Sequence, residues 1–103
     1  MTFRIFKLER NTQDISRRLG YKPRALTQKG EMDCVRPLQG NNYPRFHLYI
    51  KEGTFEGKEV LIFNLHLDQK KPSYEGAAAH SGDYDGEVVQ EEAERIKGVL
   101  FED

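Results

Sequence analysis

Two stretches of the chain, 45–51 and 60–68, have an apolar residue at every second position. The apolar members are Phe46, Leu48 and Ile50 in the first, and Leu61, Phe63, Leu65 and Leu67 in the second. Because successive side chains of a strand point to opposite faces, this alternation predicts two half-buried β-strands. Residues 53–59, GTFEGKE, are predicted to form the turn of an antiparallel hairpin.

The register of this hairpin can be argued from its apolar faces. Both must lie on the same side of the sheet, so the numbers of paired residues must add up to an odd number. A sum of 113 sets His47 opposite His66 and also sets Arg45 opposite Asp68. The main alternative is a sum of 111, which sets His47 opposite Asn64 and Arg45 opposite His66.

Helical spacing of apolar residues predicts two helices. The first covers about residues 12–19, with an N-cap at Asn11 or Thr12. The second runs from about residue 85 or 86 to residue 101, and its apolar stripe is Val89, Ala93, Ile96 and Leu100. Shorter strands are predicted at residues 2–8 and between residues 30 and 37.

This order of elements predicts an α+β fold. We expect a small antiparallel sheet with a central β-hairpin, a short N-terminal helix and a C-terminal amphipathic helix on one face. The length of 103 residues and the absence of a linker or repeat indicate a single domain over residues 1–103.

Charge is distributed unevenly along the chain. Residues 1–51 carry a formal charge of +7 and residues 52–103 carry −8, although the whole chain carries −1. A nucleic acid or protein partner is one explanation, and neutralisation between the two halves is the simpler one. Such complementary halves would also allow self-association.

The remaining composition favours a cytoplasmic protein. Cys34 is the lone cysteine, so no internal disulfide can form. The N-terminal residues lack the long apolar run of a signal peptide. No uninterrupted apolar stretch is long enough to span a bilayer, so we expect no membrane association.

The polar face of the hairpin is the first candidate site. Its ligand-binding candidates are Arg45, His47, Tyr49 and Asn64. Its catalytic candidates are His66, Asp68 and Lys70, because an imidazole and a carboxylate two residues apart share one side of a strand, and a lysine can stabilise a phosphate. If His80 joins His47 and His66, the three imidazoles and one carboxylate are enough ligands for zinc.

Two short segments resemble known sites. Asp68 followed by Lys70 at a strand end resembles part of a restriction-type nuclease core, although no upstream acidic partner is evident and the activity is not carried over. Residues 81–92 resemble an EF-hand calcium loop, in which Asp83, Asp85 and the closing Glu92 would be ligands. The first position of that loop is Ser81, where the family has aspartate.

The sequence therefore predicts a small binding domain for nucleic acid or a protein partner. Its working surface would be the polar face of the hairpin together with residues 68–86. The alternative is a metal-dependent phosphoesterase or nuclease that uses His66, Asp68 and His80. A divalent metal is the cofactor that these residues admit, and the third hypothesis is a weak calcium site at residues 81–92.

Overall fold

The computed structural model describes residues 1–69, 82–83 and 86–101. These residues form an antiparallel sheet and two helices, which confirms the predicted α+β class. The strands are β1 (Thr2–Phe6), β2 (Lys22–Leu26), β3 (Met32–Pro37), β4 (Arg45–Phe55), β5 (Lys58–Asp68) and β6 (Gly82–Asp83). The helices are α1 (Thr12–Arg18) and α2 (Glu87–Phe101).

The central hairpin orders the sheet, in which the strands follow one another as β1-β5-β4-β3-β2. The short β6 also pairs with β5. In the β4–β5 ladder His47 lies opposite His66, and Arg45 lies opposite Asp68. The register with a sum of 113 is therefore confirmed, and the alternative of 111 is wrong.

The turn of the hairpin is much tighter than the sequence predicted. Strands β4 and β5 continue to Phe55 and Lys58, which leaves a turn of Glu56 and Gly57. These two residues have φ angles of 51° and 80°. Two successive positive φ angles give the turn that matches the twist of a hairpin, so both strands can run on to it.

Strand β2 was not predicted, because its sequence carries no alternation. It lies at the sheet edge, and four of its five side chains are exposed. Its ladder with β3 also shifts register between Pro23 and Ala25, which leaves Arg24 as an extra residue in a β-bulge. An exposed, bulged edge strand needs no apolar face, so periodicity cannot reveal it.

Both helices pack on the same face of the sheet. The core that they cover includes Ile15, Leu19, Leu48, Ile50, Phe63, Leu65, Val89 and Ile96. Asn11 caps α1, because its side chain accepts a hydrogen bond of 2.7 Å from the backbone N–H of Asp14. Among the described residues, no helix is long and apolar enough to cross a membrane.

One acidic side chain lies inside the apolar stripe of α2. Glu92 is 3% exposed, and its carboxylate accepts hydrogen bonds from Tyr21, Arg36 and Arg95 at 2.6–3.2 Å. Arg95 also donates to the backbone carbonyl of Leu19, at 2.7 Å. Helix α2 is therefore joined to β3 and to the segment between α1 and β2 by polar contacts as well as by apolar packing.

Candidate metal centre

The face of the sheet opposite the helices carries a compact polar cluster. Strand alternation places His47 on this face of β4, and it places His66 and Asp68 on this face of β5. Each of the three residues offers one ligand atom, and all three atoms lie within 4.8 Å of one another. Two of the three predicted imidazoles and the predicted carboxylate therefore meet, because the hairpin has the register argued from its apolar faces.

Asp68 is at the centre of this cluster. Its Oδ1 lies 2.8 Å from Nε2 of His66. Its Oδ2 lies 3.2 Å from Nδ1 of His47 and accepts a hydrogen bond of 3.1 Å from Nε of Arg45. One carboxylate thus contacts three of the candidate residues.

His47 contacts a second carboxylate, which the sequence did not identify. Its Nε2 lies 2.7 Å from Oδ1 of Asp33 on β3. Asp33 reaches this face because it is paired with Tyr49, whereas the adjacent Cys34 points into the core. The register of β3 against β4 could have revealed this contact, but the short apolar pattern of β3 did not define that register.

The cluster is largely removed from solvent. The side chains of His47, His66 and Asp68 are 11%, 13% and 20% exposed. Burial lowers the pKa of His66, and it outweighs the neighbouring Asp68 carboxylate, which acts in the opposite direction. Burial also raises the pKa of Tyr49, to which the nearby carboxylates Asp33 and Asp68 contribute.

Of the other predicted residues, Tyr49 and Asn64 are described. Tyr49 lies beside it, with its ring centroid 4.7 Å from that of His47. Asn64 is exposed and is paired with Tyr49. The side chains of Lys70, His80, Asp83 and Asp85 lie outside the described residues, and Asp83 is described only as part of the backbone of β6.

Glu92, the ligand that should close the predicted calcium loop, is engaged in other contacts. Both carboxylate oxygens of Glu92 accept hydrogen bonds from Arg36 and Arg95 in the interior. Helix α2 begins at Glu87, and it turns Glu92 toward the sheet. A bidentate calcium contact would require that carboxylate to leave two guanidinium groups, so we do not carry this hypothesis forward.

Similarity to known proteins does not identify the site. No protein-family model, curated protein or solved structure matches this chain. The function is therefore argued from the geometry and the chemistry of the cluster itself.

Proposed function

We propose that this protein binds a divalent transition-metal ion through His47, His66 and Asp68. The observation that carries this proposal is the approach of their three ligand atoms to within 4.8 Å of one another. Zinc with bonds of about 2.0–2.2 Å spaces its tetrahedral ligands about 3.3–3.6 Å apart. Metal binding would therefore have to draw the most widely separated of the three atoms closer together by rotation of the side chains.

The surroundings of His47 support a cation at this position. Its two ring nitrogens face carboxylate oxygens of Asp33 and Asp68 at 2.7 and 3.2 Å. A neutral imidazole has one N–H group and can donate to one carboxylate only. The lone pair of the other nitrogen then faces an oxygen, unless a second proton or a metal ion lies between them.

Asp33 fits a supporting role around such an ion. A histidine that binds a metal usually donates its other N–H to a carboxylate, which fixes the tautomer and the ring orientation. When Nε2 of His47 donates to Asp33, Nδ1 is left to face Asp68 and the metal position. Nε of Arg45 in turn donates a hydrogen bond to Oδ2 of Asp68, which helps to orient that carboxylate.

The donor set indicates which class of metal would bind. Two imidazole nitrogens and one carboxylate oxygen suit zinc and neighbouring first-row ions, whereas calcium and magnesium prefer oxygen ligands throughout. Three protein ligands leave a fourth position of a tetrahedral ion for water or a substrate. His80, the fourth ligand expected from the sequence, lies outside the described residues.

Metal analysis of the protein purified without an affinity tag tests the proposal. We expect one zinc or similar ion per chain, bound tightly enough to survive gel filtration. His66→Gln and Asp68→Asn should lose the ion, because each removes a ligand. Asp33→Asn should weaken binding by about 10- to 100-fold, since it changes the support of His47 but no ligand.

Asn64→Ala is the matched control, because Asn64 lies on the same sheet face and is not among the ligands. It should retain the metal of the parent protein, and circular dichroism should show that each variant is folded. Metal binding by the ligand variants equal to that of Asn64→Ala would refute the site. So would a parent protein that takes up no zinc when zinc is added.

A hydrolytic role is the second candidate, because three protein ligands would leave a fourth position of a tetrahedral ion for water. A zinc-bound water there would be acidified into a nucleophile, with His66 and Asp68 as ligands to the metal. We expect zinc-dependent hydrolysis of p-nitrophenyl phosphate that Asp68→Asn abolishes. Stoichiometric zinc without turnover would remove this candidate and leave metal binding in place.

Binding of nucleic acid or a protein partner at this face, and a cytoplasmic location, stay predictions. The geometry supports metal binding better than base stacking. The ring of His47 lies 4.8 Å from that of His66, and its side chain is 11% exposed. A base needs an exposed aromatic face on which to stack, and His47 does not offer one.

A further inference from the structure

A small cavity lies beside the metal ligands on the same face of the sheet. Its volume is about 260 Å³. The residues that line it, called the basic cavity below, are Lys22, Arg24, Val35, Pro37, Asn42 and Arg45. Three of them are cations, and no described carboxylate is among them.

The cations reach this cavity from two strands. Lys22 on β2 is paired with Val35 on β3, which is in turn paired with His47 on β4. Arg24 is the extra residue of the bulge in β2, and Arg45 comes from β4. The basic cavity is therefore centred one strand away from the metal ligands.

The charge of the basic cavity is only partly neutralised. Arg45 forms a salt bridge of 3.1 Å with Asp68. Lys22 and Arg24 are exposed, and neither forms a salt bridge with a carboxylate in the described part of the chain. The positive charges of Lys22 and Arg24 thus face the basic cavity, together with that of Arg45, which also pairs with Asp68.

An anion with two negative charges matches this arrangement. Guanidinium groups present several N–H donors in a fixed plane, which suits the oxygens of a phosphate group. Asn42 adds an amide that can donate a further hydrogen bond. Pockets for drug-sized ligands have volumes of roughly 300–1,000 Å³, so a cavity of this size fits a phosphate group with a small substituent.

We infer that the basic cavity is a binding site for the phosphate group of a small phosphomonoester, held by Lys22, Arg24 and Arg45. This site is distinct from the metal centre and does not require a metal ion. The two sites share Arg45, which contacts Asp68 and also lines the basic cavity.

Titration of the full chain with inorganic phosphate and with phenyl phosphate, in the presence of EDTA, tests this inference. Two-dimensional NMR at low salt follows the backbone signals of β2 and β3. We expect saturable binding, with the largest shifts around Lys22 and Val35. The double variant Lys22→Ala/Arg24→Ala should weaken binding about tenfold or more, because it removes two charge-assisted contacts.

The matched control is Lys29→Ala/Lys51→Ala, which changes the net charge equally at exposed positions outside the basic cavity. It should bind phenyl phosphate as the parent protein does. Equal weakening in both double variants would show nonspecific attraction and overturn the inference, as would the absence of saturable binding. Tighter binding of a short single-stranded oligonucleotide than of phenyl phosphate would also overturn it, in favour of a nucleic-acid surface.

Because EDTA removes free metal ions, this titration tests the basic cavity independently of the proposed metal centre. Phosphate binding without zinc binding would leave the basic cavity in place and refute the metal proposal. Zinc binding without phosphate binding would leave the metal proposal in place and refute the inference about the basic cavity. The metal cluster has its own variants, His66→Gln and Asp68→Asn, and neither residue lines the basic cavity.

Discussion

At the scale of single residues, the buried polar side chains of Glu92 and His47 differ in how fully their polar atoms are paired. The carboxylate of Glu92 accepts hydrogen bonds from Tyr21, Arg36 and Arg95, so its charge is opposed inside the molecule. His47 lies between Asp33 and Asp68, an arrangement that a neutral ring cannot satisfy at both nitrogens. The first arrangement is complete within the molecule, whereas the second needs a second proton or a metal ion at His47. This difference is why we propose metal binding for His47 and a stabilising role for Glu92.

Replacement of Glu92 by glutamine should destabilise the protein substantially. The variant leaves Arg36 and Arg95 without their counter-charge, and these side chains are 30% and 38% exposed. We expect a loss of about 2 kcal/mol in the free energy of unfolding in urea, below the 3–5 kcal/mol typical of a fully buried pair. Glu94→Gln is the control, because Glu94 is 74% exposed and should change stability by less than about 0.5 kcal/mol. Similar losses in both variants would contradict the assigned role.

The effect of Glu92→Gln should depend on pH. Burial opposes ionisation of Glu92, but hydrogen bonds from the two arginines and Tyr21 outweigh it and lower its pKa below 4.5. A lowered pKa contributes stability that is fully present above the unfolded value and is lost as the pH falls through the folded value. The stability difference between parent and variant should therefore be largest near neutral pH and should shrink below about pH 4.5. A difference that stays constant with pH would argue against the charge as its cause.

At the scale of elements, the sequence predicts the strands and helices that bury one face in the core. Both strands of the hairpin could be assigned from the sequence. Their register could be assigned as well, because a slip of one residue would expose Leu48 and Phe63. Strand β2 could not be assigned, since four of its five side chains are exposed. The same limit hid Asp33, whose place beside His47 depends on how β3 pairs with β4.

The candidate site could be predicted in part for the same reason. His47, His66 and Asp68 meet because they lie on the two strands whose register follows from apolar burial. The second carboxylate at the nitrogens of His47 is that of Asp33 on β3, a strand for which the sequence offered too few apolar positions. The role of Glu92 was also missed, although its spacing from Val89 and Ile96 places it on the apolar stripe of α2. The sequence does not show that Arg36 and Arg95 meet its carboxylate there.

The hairpin turn provides a test at this scale. Gly57 has a φ of 80°, which non-glycine residues adopt only with strain, and a Cβ there would contact nothing within 4 Å. Gly57→Ala should therefore lower the free energy of unfolding by about 1 kcal/mol through backbone strain alone. Gly40→Ala is the control, since Gly40 has equal space and no positive φ. Thermal unfolding that shows equal changes in both variants would contradict the assigned turn.

At the scale of the whole molecule, the two faces of the sheet carry different features. One face holds both helices and the apolar core, and the other holds the cluster of His47, His66 and Asp68 together with the basic cavity. Salt bridges join the basic first half of the chain to the acidic second half, at Lys7–Glu52, Arg36–Glu92 and Arg45–Asp68. Part of the charge asymmetry is therefore neutralised within the molecule, as the simpler explanation expected. Self-association stays a prediction.

The central claim is that His47 and His66 bind a metal ion together on the polar face of the hairpin. The most direct test is an NMR titration with zinc that follows the ring ¹⁵N signals of all three histidines. We predict that one nitrogen each of His47 and His66 shifts and that both changes are complete at one zinc ion per chain. Ring signals of His47 and His66 that stay unchanged through that titration would contradict the claim.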